Sequence, residues 1–492
     1  MRLIGRGPEQ FQRSTCTGRT GFASRLVIAV LAVSCILSLW TPVCFSQTTK
    51  KKPNTSARTK KDPADSEARP ARASKGKRVS IPEGVGTYTS RNFILHTDLP
   101  KEDADDLLER LETMLVLISK YWGRPSSGTI EMFVVKEMRN WPTGSLDPEA
   151  APYVEEGGGL TITNVLSQGN AFRAKAMVYA AADRGTPQHE AVHAYCGQAF
   201  GRTGPVWYSE GMAEMGQYWR ADDASVNAHD IVIRYLRSTE IKSLNEIVNG
   251  KEWTGDSWQN YAWRWALCHL LANNPNYASR FRPLGLGLLT KQDVSFEQTY
   301  GDMAKEISFE YREFVKHLAP GLRVDLCAFD WKAKFKPVKT STITTVKVDA
   351  GHGWQASRLE LIGGEEYEYS AAGTWTTGKD AKPVDAGGAA DGAGRLVGVV
   401  LKDQGGDYSL GEPFDLGTFG TFVAPEGGNL FLRCQDDWVK IPDNKGTMQV
   451  KLKLKSKGAP LPPPKEKPEG DKKPPAPSED PPEPSEELNS RS

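Results

Sequence analysis

His189, Glu190 and His193 stand in the order His-Glu-Ala-Val-His. Histidines four residues apart lie one turn apart on the same helix face, so both imidazoles can reach one metal ion. The glutamate beside the first histidine then sits near the ion's open position, where it can take a proton from water. Composition alone would produce such a pattern roughly 0.006 times in a chain with 7 histidines in 492 residues. Catalytic zinc usually has three protein ligands, so a third is needed. Twelve residues after His193 comes Pro205-Val206-Trp207-Tyr208-Ser209-Glu210-Gly211-Met212-Ala213-Glu214, with sixteen residues between His193 and Glu210. Glu210 and Glu214 are again one turn apart on one face. The expected roles are Glu210 as third ligand and Glu214 as acceptor of a hydrogen bond from a ligand imidazole, fixing its tautomer.

Two helices must carry these residues. Thr186 is a good N-cap for the first, Pro187 a good first helical residue, and Gly197 and Gly201 lie toward its end. Trp207 to Trp219 reads as the second. Upstream, Glu102–Tyr121 places Leu107, Leu108, Leu111, Met114, Leu115, Leu117 and Ile118 at helical spacing. Tyr88–Leu95, Thr129–Val135 and Gly158–Thr163 read as strands, and helices dominate from Ala171 to about Leu318. Strands followed by helices predict an α+β domain over 81–337. A developing oxyanion needs a donor. Tyr261, His269, Tyr208 and His229 are available, and Tyr261 is the choice.

After about residue 338 the period changes. Thr342–Val348, Leu359–Ile362, Tyr367–Ala371, Leu396–Leu401, Leu430–Cys434 and Met448–Leu454 are short β-like runs separated by Gly-rich turns. They predict an all-β sandwich or barrel over 338–456.

The segment from His189-Glu-Ala-Val-His193 to Trp207-Tyr-Ser-Glu-Gly-Met-Ala-Glu214 resembles the gluzincin zinc metallopeptidases, in particular the bacterial peptidase-MA-like group. The strong similarity spans about 185–220, and a weaker one runs from Ser90–Asp98 to roughly 318. The resemblance implies zinc held by His189, His193 and Glu210, with Glu190 as general base. It also implies a mainly helical zincin-like domain whose small sheet has an edge strand that aligns a peptide substrate. In the β region, Trp354-Gln355, the run Ser357–Trp375 and Gln435–Gly446 resemble the small calcium-dependent, galactophilic PA-IL-like lectins. That resemblance places Asp436, Asp443 and Asn444 as side-chain calcium ligands, and Thr377 and Lys440 as backbone ones. Such hard oxygen donors suit calcium. Asp443 stands where those lectins carry Asn, and residues 379–394 are rearranged and Gly-rich.

The ends of the chain read as transport and spacer segments. Arginines precede an apolar run of 15 residues, Leu26–Trp40, too short to span a bilayer as a helix. Residues 1–46 therefore read as a signal peptide cleaved near Ser46 or Gln47, the alternative being an N-terminal membrane anchor. Residues 47–80, with eleven Lys/Arg against three acids over 50–78, read as a disordered basic linker, and 457–492 as a disordered Pro/Glu/Lys-rich tail. At most, peripheral membrane contact is expected. Cys196, Cys268, Cys327 and Cys434 match no zinc-knuckle or redox spacing; a disulfide and buried thiols both fit.

A net charge of +1 gives no reason to expect a nucleic-acid partner, and a mean hydropathy of −0.48 excludes a polytopic membrane protein. Two functional expectations follow. One is an exported zinc metallopeptidase acting on a protein or peptide. The other is a catalytically inactive zincin-like protein that binds cell-surface glycan or serves a structural role in the envelope.

Overall fold

The computed structural model describes residues 81–168, 171–183, 185–220, 223–249, 258–337 and 342–455. The expected leader (1–46), basic linker (47–80) and tail (457–492) lie outside them. Among the described residues no helix is long and apolar enough to cross a membrane.

Alternation predicts one strand over Tyr88–Leu95, but the chain makes two antiparallel ones, β1 (Gly86–Thr89) and β2 (Phe93–Thr97). The cause is the polar triplet Ser90-Arg91-Asn92. Glu112 accepts hydrogen bonds from Ser90 Oγ (2.6 Å), Asn92 N (2.7 Å) and Asn92 Nδ2 (2.7 Å), which pins the reversal. Glu112 belongs to α1 (Lys101–Trp122), whose buried face carries Leu107, Leu108, Leu111, Met114, Leu115 and Ile118. Gly123, at φ 67°, ends that helix in the left-handed region.

β3 (Ile130–Val135), α2 (Ala151–Glu155), β4 (Gly159–Gln168) and β5 (Ala171–Ala181) complete a five-stranded sheet in the order β1-β2-β3-β5-β4. β2, β3 and β5 run parallel; β1 and β4 are antiparallel to their neighbours. β5 is a correction, since the sequence predicts helix from Ala171. Its alanines favour helix locally, but pairing with β3 on one side and β4 on the other holds the segment extended. Leu95, Met132, Val134, Val178 and Ala180 pack into the main core with the helices, while Phe133, Val135 and Tyr179 form a smaller cluster with Trp141 and Val154.

The helices follow: α3 (Thr186–Phe200), α4 (Val206–Tyr218), α5 (Asp230–Ser238), α6 (Leu244–Asn249), α7 (Trp258–Asn273), α8 (Ala278–Leu289), α9 (Phe296–Tyr300) and α10 (Ala304–Lys316). α3 is buried on nearly every side, packed against β4 and β5, α1 and α4. α4 lies between α3 and α7 because small residues permit it. A Cβ on Gly216 would collide with Val192 of α3. One on Gly211 would come within 2.8 Å of the Arg264 carbonyl oxygen of α7.

The C-terminal region is a sandwich of two sheets. β6 (Lys336–Pro337), β8 (Gln355–Leu361), β14 (Gly428–Cys434), β10 (Leu396–Asp403) and β11 (Tyr408–Leu410) form one, with β12 (Phe414–Asp415) also on β10. β7 (Thr344–Asp349), β15 (Lys445–Leu454), β9 (Glu366–Thr376) and β13 (Phe419–Val423) form the other. Leu359, Tyr367, Trp375, Leu396, Leu432 and Val450 fill the space between them. All six predicted runs fall on strands. β11, β12 and β13 have no counterpart among those runs, being short or exposed on alternate residues. β6 pairs with β8, so the chain joins this domain's sheet just before the expected boundary at 338.

Candidate metal centre

The start of α3 differs from the expected cap. Thr186 is itself the first helical residue, and Asp183 does the capping: its Oδ1 accepts from Gly185 N (2.8 Å) and Thr186 N (2.7 Å). Gly201, at φ 76°, closes the other end, while Gly197 sits inside the helix against Thr163 of β4.

α3 and α4 bring His189, His193 and Glu210 to one point. His189 Nε2 lies 3.2 Å from His193 Nε2 and 3.3 Å from Glu210 Oε2, and His193 Nε2 lies 3.4 Å from the same oxygen. A tetrahedral zinc ion with bonds of about 2.0–2.1 Å separates its ligands by about 3.3–3.4 Å. The three atoms therefore form one face of a zinc-sized tetrahedron. They are also the one group of three or more His, Cys, Asp and Glu side chains among the described residues that could hold an ion.

At His189 the outer nitrogen decides which lone pair points inward. His189 Nδ1 is 3.0 Å from Glu214 Oε1, so the proton belongs on Nδ1 and Nε2 presents a lone pair. His193 Nδ1 faces Ser209 Oγ at 3.3 Å, a partner the sequence reading did not single out. Tyr218, also unpredicted, hydrogen-bonds Glu214 through its hydroxyl. The signals existed: Ser209 precedes Glu210 directly, and Tyr218 is four residues beyond Glu214.

Convergent acceptors make a site that asks for a cation. Burial opposes charge on Glu210, but the charge of His193 and the hydrogen bonds of both imidazoles hold its pKa well below the usual carboxylate range. Burial also opposes protonation of His189. Its bonds to Glu210 and Glu214, with the charges of Glu214 and Glu190, nevertheless raise its pKa well above the ordinary value. Protons and a metal ion would compete for the same lone pairs.

Glu190 is buried beside this triangle. Its Oε2 accepts from Thr161 Oγ1 of β4 at 2.6 Å. Tyr261, at the start of α7, places its ring centroid 5.7 Å from that of His189. The other oxyanion candidates have partners elsewhere. Tyr208 accepts a hydrogen bond from Trp122 Nε1 (3.0 Å) in the core, His229 packs on Tyr218, and His269 stacks on Phe314.

In the β domain, Asp436 and Asn444 lie near one end of the sandwich. Gln435, next to Asp436, accepts through its carbonyl from Gly394 N, and Asn444 precedes Lys445, which is in register with Thr376. Asp436 Oδ2 and Asn444 Oδ1 are both buried without a hydrogen-bond partner. Asp443 is exposed at the end of a short 3₁₀ turn, with Oδ2 near Gly378. The Lys440 carbonyl accepts from Asp443 N at 3.2 Å, and Thr377 directly follows β9. The four cysteines in the described residues are free thiols.

No family model matches the chain, and no curated protein matches it. Among solved structures, one similar chain is described as the EclA N-terminal domain, a PllA-like lectin. It is 20% identical, with a TM-score of 0.18, over 23% of this chain and 95% of that one.

Proposed function

We propose that this protein is a zinc-dependent peptidase, exported from the cell, that cleaves a protein or peptide substrate. The reading rests on one observation: His189 Nε2, His193 Nε2 and Glu210 Oε2 form an almost equilateral triangle with edges of 3.2–3.4 Å. Zinc held there would act as a Lewis acid, making water a stronger nucleophile and polarising a carbonyl. Glu190 is the base: it takes a proton from the attacking water and delivers it to the leaving amine as the peptide bond breaks. Tyr261 offers its hydroxyl to the oxyanion. Glu214 and Ser209 keep the two imidazoles oriented.

The test is zinc per chain and peptide hydrolysis in the full-length protein. The parent should carry about one zinc per chain, and Glu210→Ala little. Glu190→Gln should keep its zinc and lose roughly 10²- to 10⁴-fold in rate. Zinc-free but folded parent protein, or an active Glu190→Gln variant, would overturn the proposal.

A second reading, additional to the first, concerns the sandwich. The unpartnered buried oxygens of Asp436 and Asn444 support a calcium site there, completed by Asp443 and the carbonyls of Thr377 and Lys440, with a cell-surface glycan as its partner. Calcium should raise the melting temperature of the parent and not of Asp436→Ala. No shift in the parent would remove this reading.

A further inference from the structure

β4 is the edge strand beside the candidate centre, and its alternate residues meet α3 in turn. At Gly159 an added Cβ would lie 2.7 Å from Glu190 Cγ and 3.0 Å from both Thr186 Cγ2 and the Tyr179 carbonyl oxygen. Two residues on, Thr161 Oγ1 lies 2.6 Å from Glu190 Oε2 and 2.9 Å from the Glu190 carbonyl oxygen. Two further on, Thr163 packs against Gly197. Residues i, i+2 and i+4 of a strand share a face, so one face of β4 forms a seat for α3 and for the side chain of Glu190.

The hydroxyl of Thr161 has one proton to give, and a carboxylate is the stronger of its two acceptors. The bond therefore anchors Oε2. Among the described residues the hydrogen bonds of the Glu190 carboxylate are to Oε2, and none is to Oε1. One oxygen is fixed and the other is open to exchange a proton. A carboxylate otherwise turns about its last torsion with broad freedom.

We infer that Thr161 is a positioning residue for Glu190, with Gly159 leaving room for the Glu190 side chain. The inference rests on the peptidase reading for its kinetic consequence, but the anchored carboxylate can be tested without it. Misplacing a reacting group by about 1 Å can cost on the order of 100-fold. Thr161→Val keeps the shape and removes the donor. It should lower kcat on the order of 10- to 100-fold, with KM, zinc content and melting temperature close to the parent. Thr161→Ser should restore most of the rate. Combined with Glu190→Gln, Thr161→Val should cost nothing more, because it acts through the group already lost.

A crystal structure of Thr161→Val provides a readout that needs no turnover: the Glu190 carboxylate should leave its place against β4. Unchanged kcat with Glu190 still in place would overturn the inference. So would a loss of zinc and stability along with rate, or an additive loss in the double variant. If neither the parent nor any variant hydrolyses peptide, the peptidase reading fails, and the carboxylate's position in the Thr161→Val crystal alone decides the anchoring role.

Discussion

Two buried carboxylates in this protein are built in opposite ways. Glu310, on α10, is surrounded by neutral donors. Oε1 accepts from Phe329 N (2.8 Å) and Asn274 Nδ2 (3.2 Å), and Oε2 from Tyr277 Oη, Trp331 Nε1 (3.1 Å) and Asn276 Nδ2 (3.4 Å). Every lone pair is met, and burial, against those bonds, still pushes its pKa up. Glu210 is as deeply buried, yet Oε2 faces the Nε2 atoms of two imidazoles, and Glu214 at the outer nitrogen of His189 turns that ring's lone pair toward it. Burial alone does not mark a binding centre. Glu310 is a closed polar node that fixes structure, whereas the acceptors around Glu210 converge on a gap of ionic size.

The largest expected effect breaks the closed node. Glu310→Ala strands up to five donors and should cost about 3–5 kcal/mol of stability in denaturant melts. The folded fraction should keep its zinc. Loss of zinc in step with stability would show that the two carboxylates are not independent.

Next comes His269, which belongs to neither type. Its ring is buried, Nε2 has no partner, and burial pushes its pKa down to about 4. The unfolded chain binds its proton near pH 6.5, so between that value and about 4 the unfolded state holds more protons than the folded one. Stability from this group is therefore full above pH 6.5 and falls with pH, by up to about 3 kcal/mol at pH 4. His269→Phe should flatten the slope of stability against pH in that window; an unaltered slope would place the ring in a wetter setting. The smallest effect sharpens the open site. Glu214→Ala removes the outer partner of His189, and with it the partner of the Tyr218 hydroxyl, and should weaken zinc binding about 10- to 100-fold, or about 1.4–2.7 kcal/mol, in competition with a chelator.

Much of the candidate site could be read in the chain because a four-residue step fixes helix geometry. His189 with His193, and Glu210 with Glu214, needed only α3 and α4 to exist. What could not be read was whatever arrives from another element. Thr161 reaches Glu190 from a strand 29 residues away, and nothing about an isolated threonine announces it. Gly211 and Gly216 look like poor helix residues until the approach of α7 and α3 explains them. The same holds for the fold. The long helix α1 and the alternating strand β15 declared themselves, whereas β5 is an alanine-rich segment made extended by its neighbours.

Glu310 also bears on whether the two domains could be separated. Two of its donors, Phe329 N and Trp331 Nε1, come from the connection leading into the sandwich, and the rings of Phe329 and Trp331 rest on Phe431 and Tyr408. A chain cut before Phe329 would lose part of that node. One cut at 337 would leave an aromatic surface facing water. The helical domain is thus not a portable module. Its last polar bonds are completed by the segment that ties it to the sandwich, so grafting, truncation or domain shuffling would have to carry that joint along.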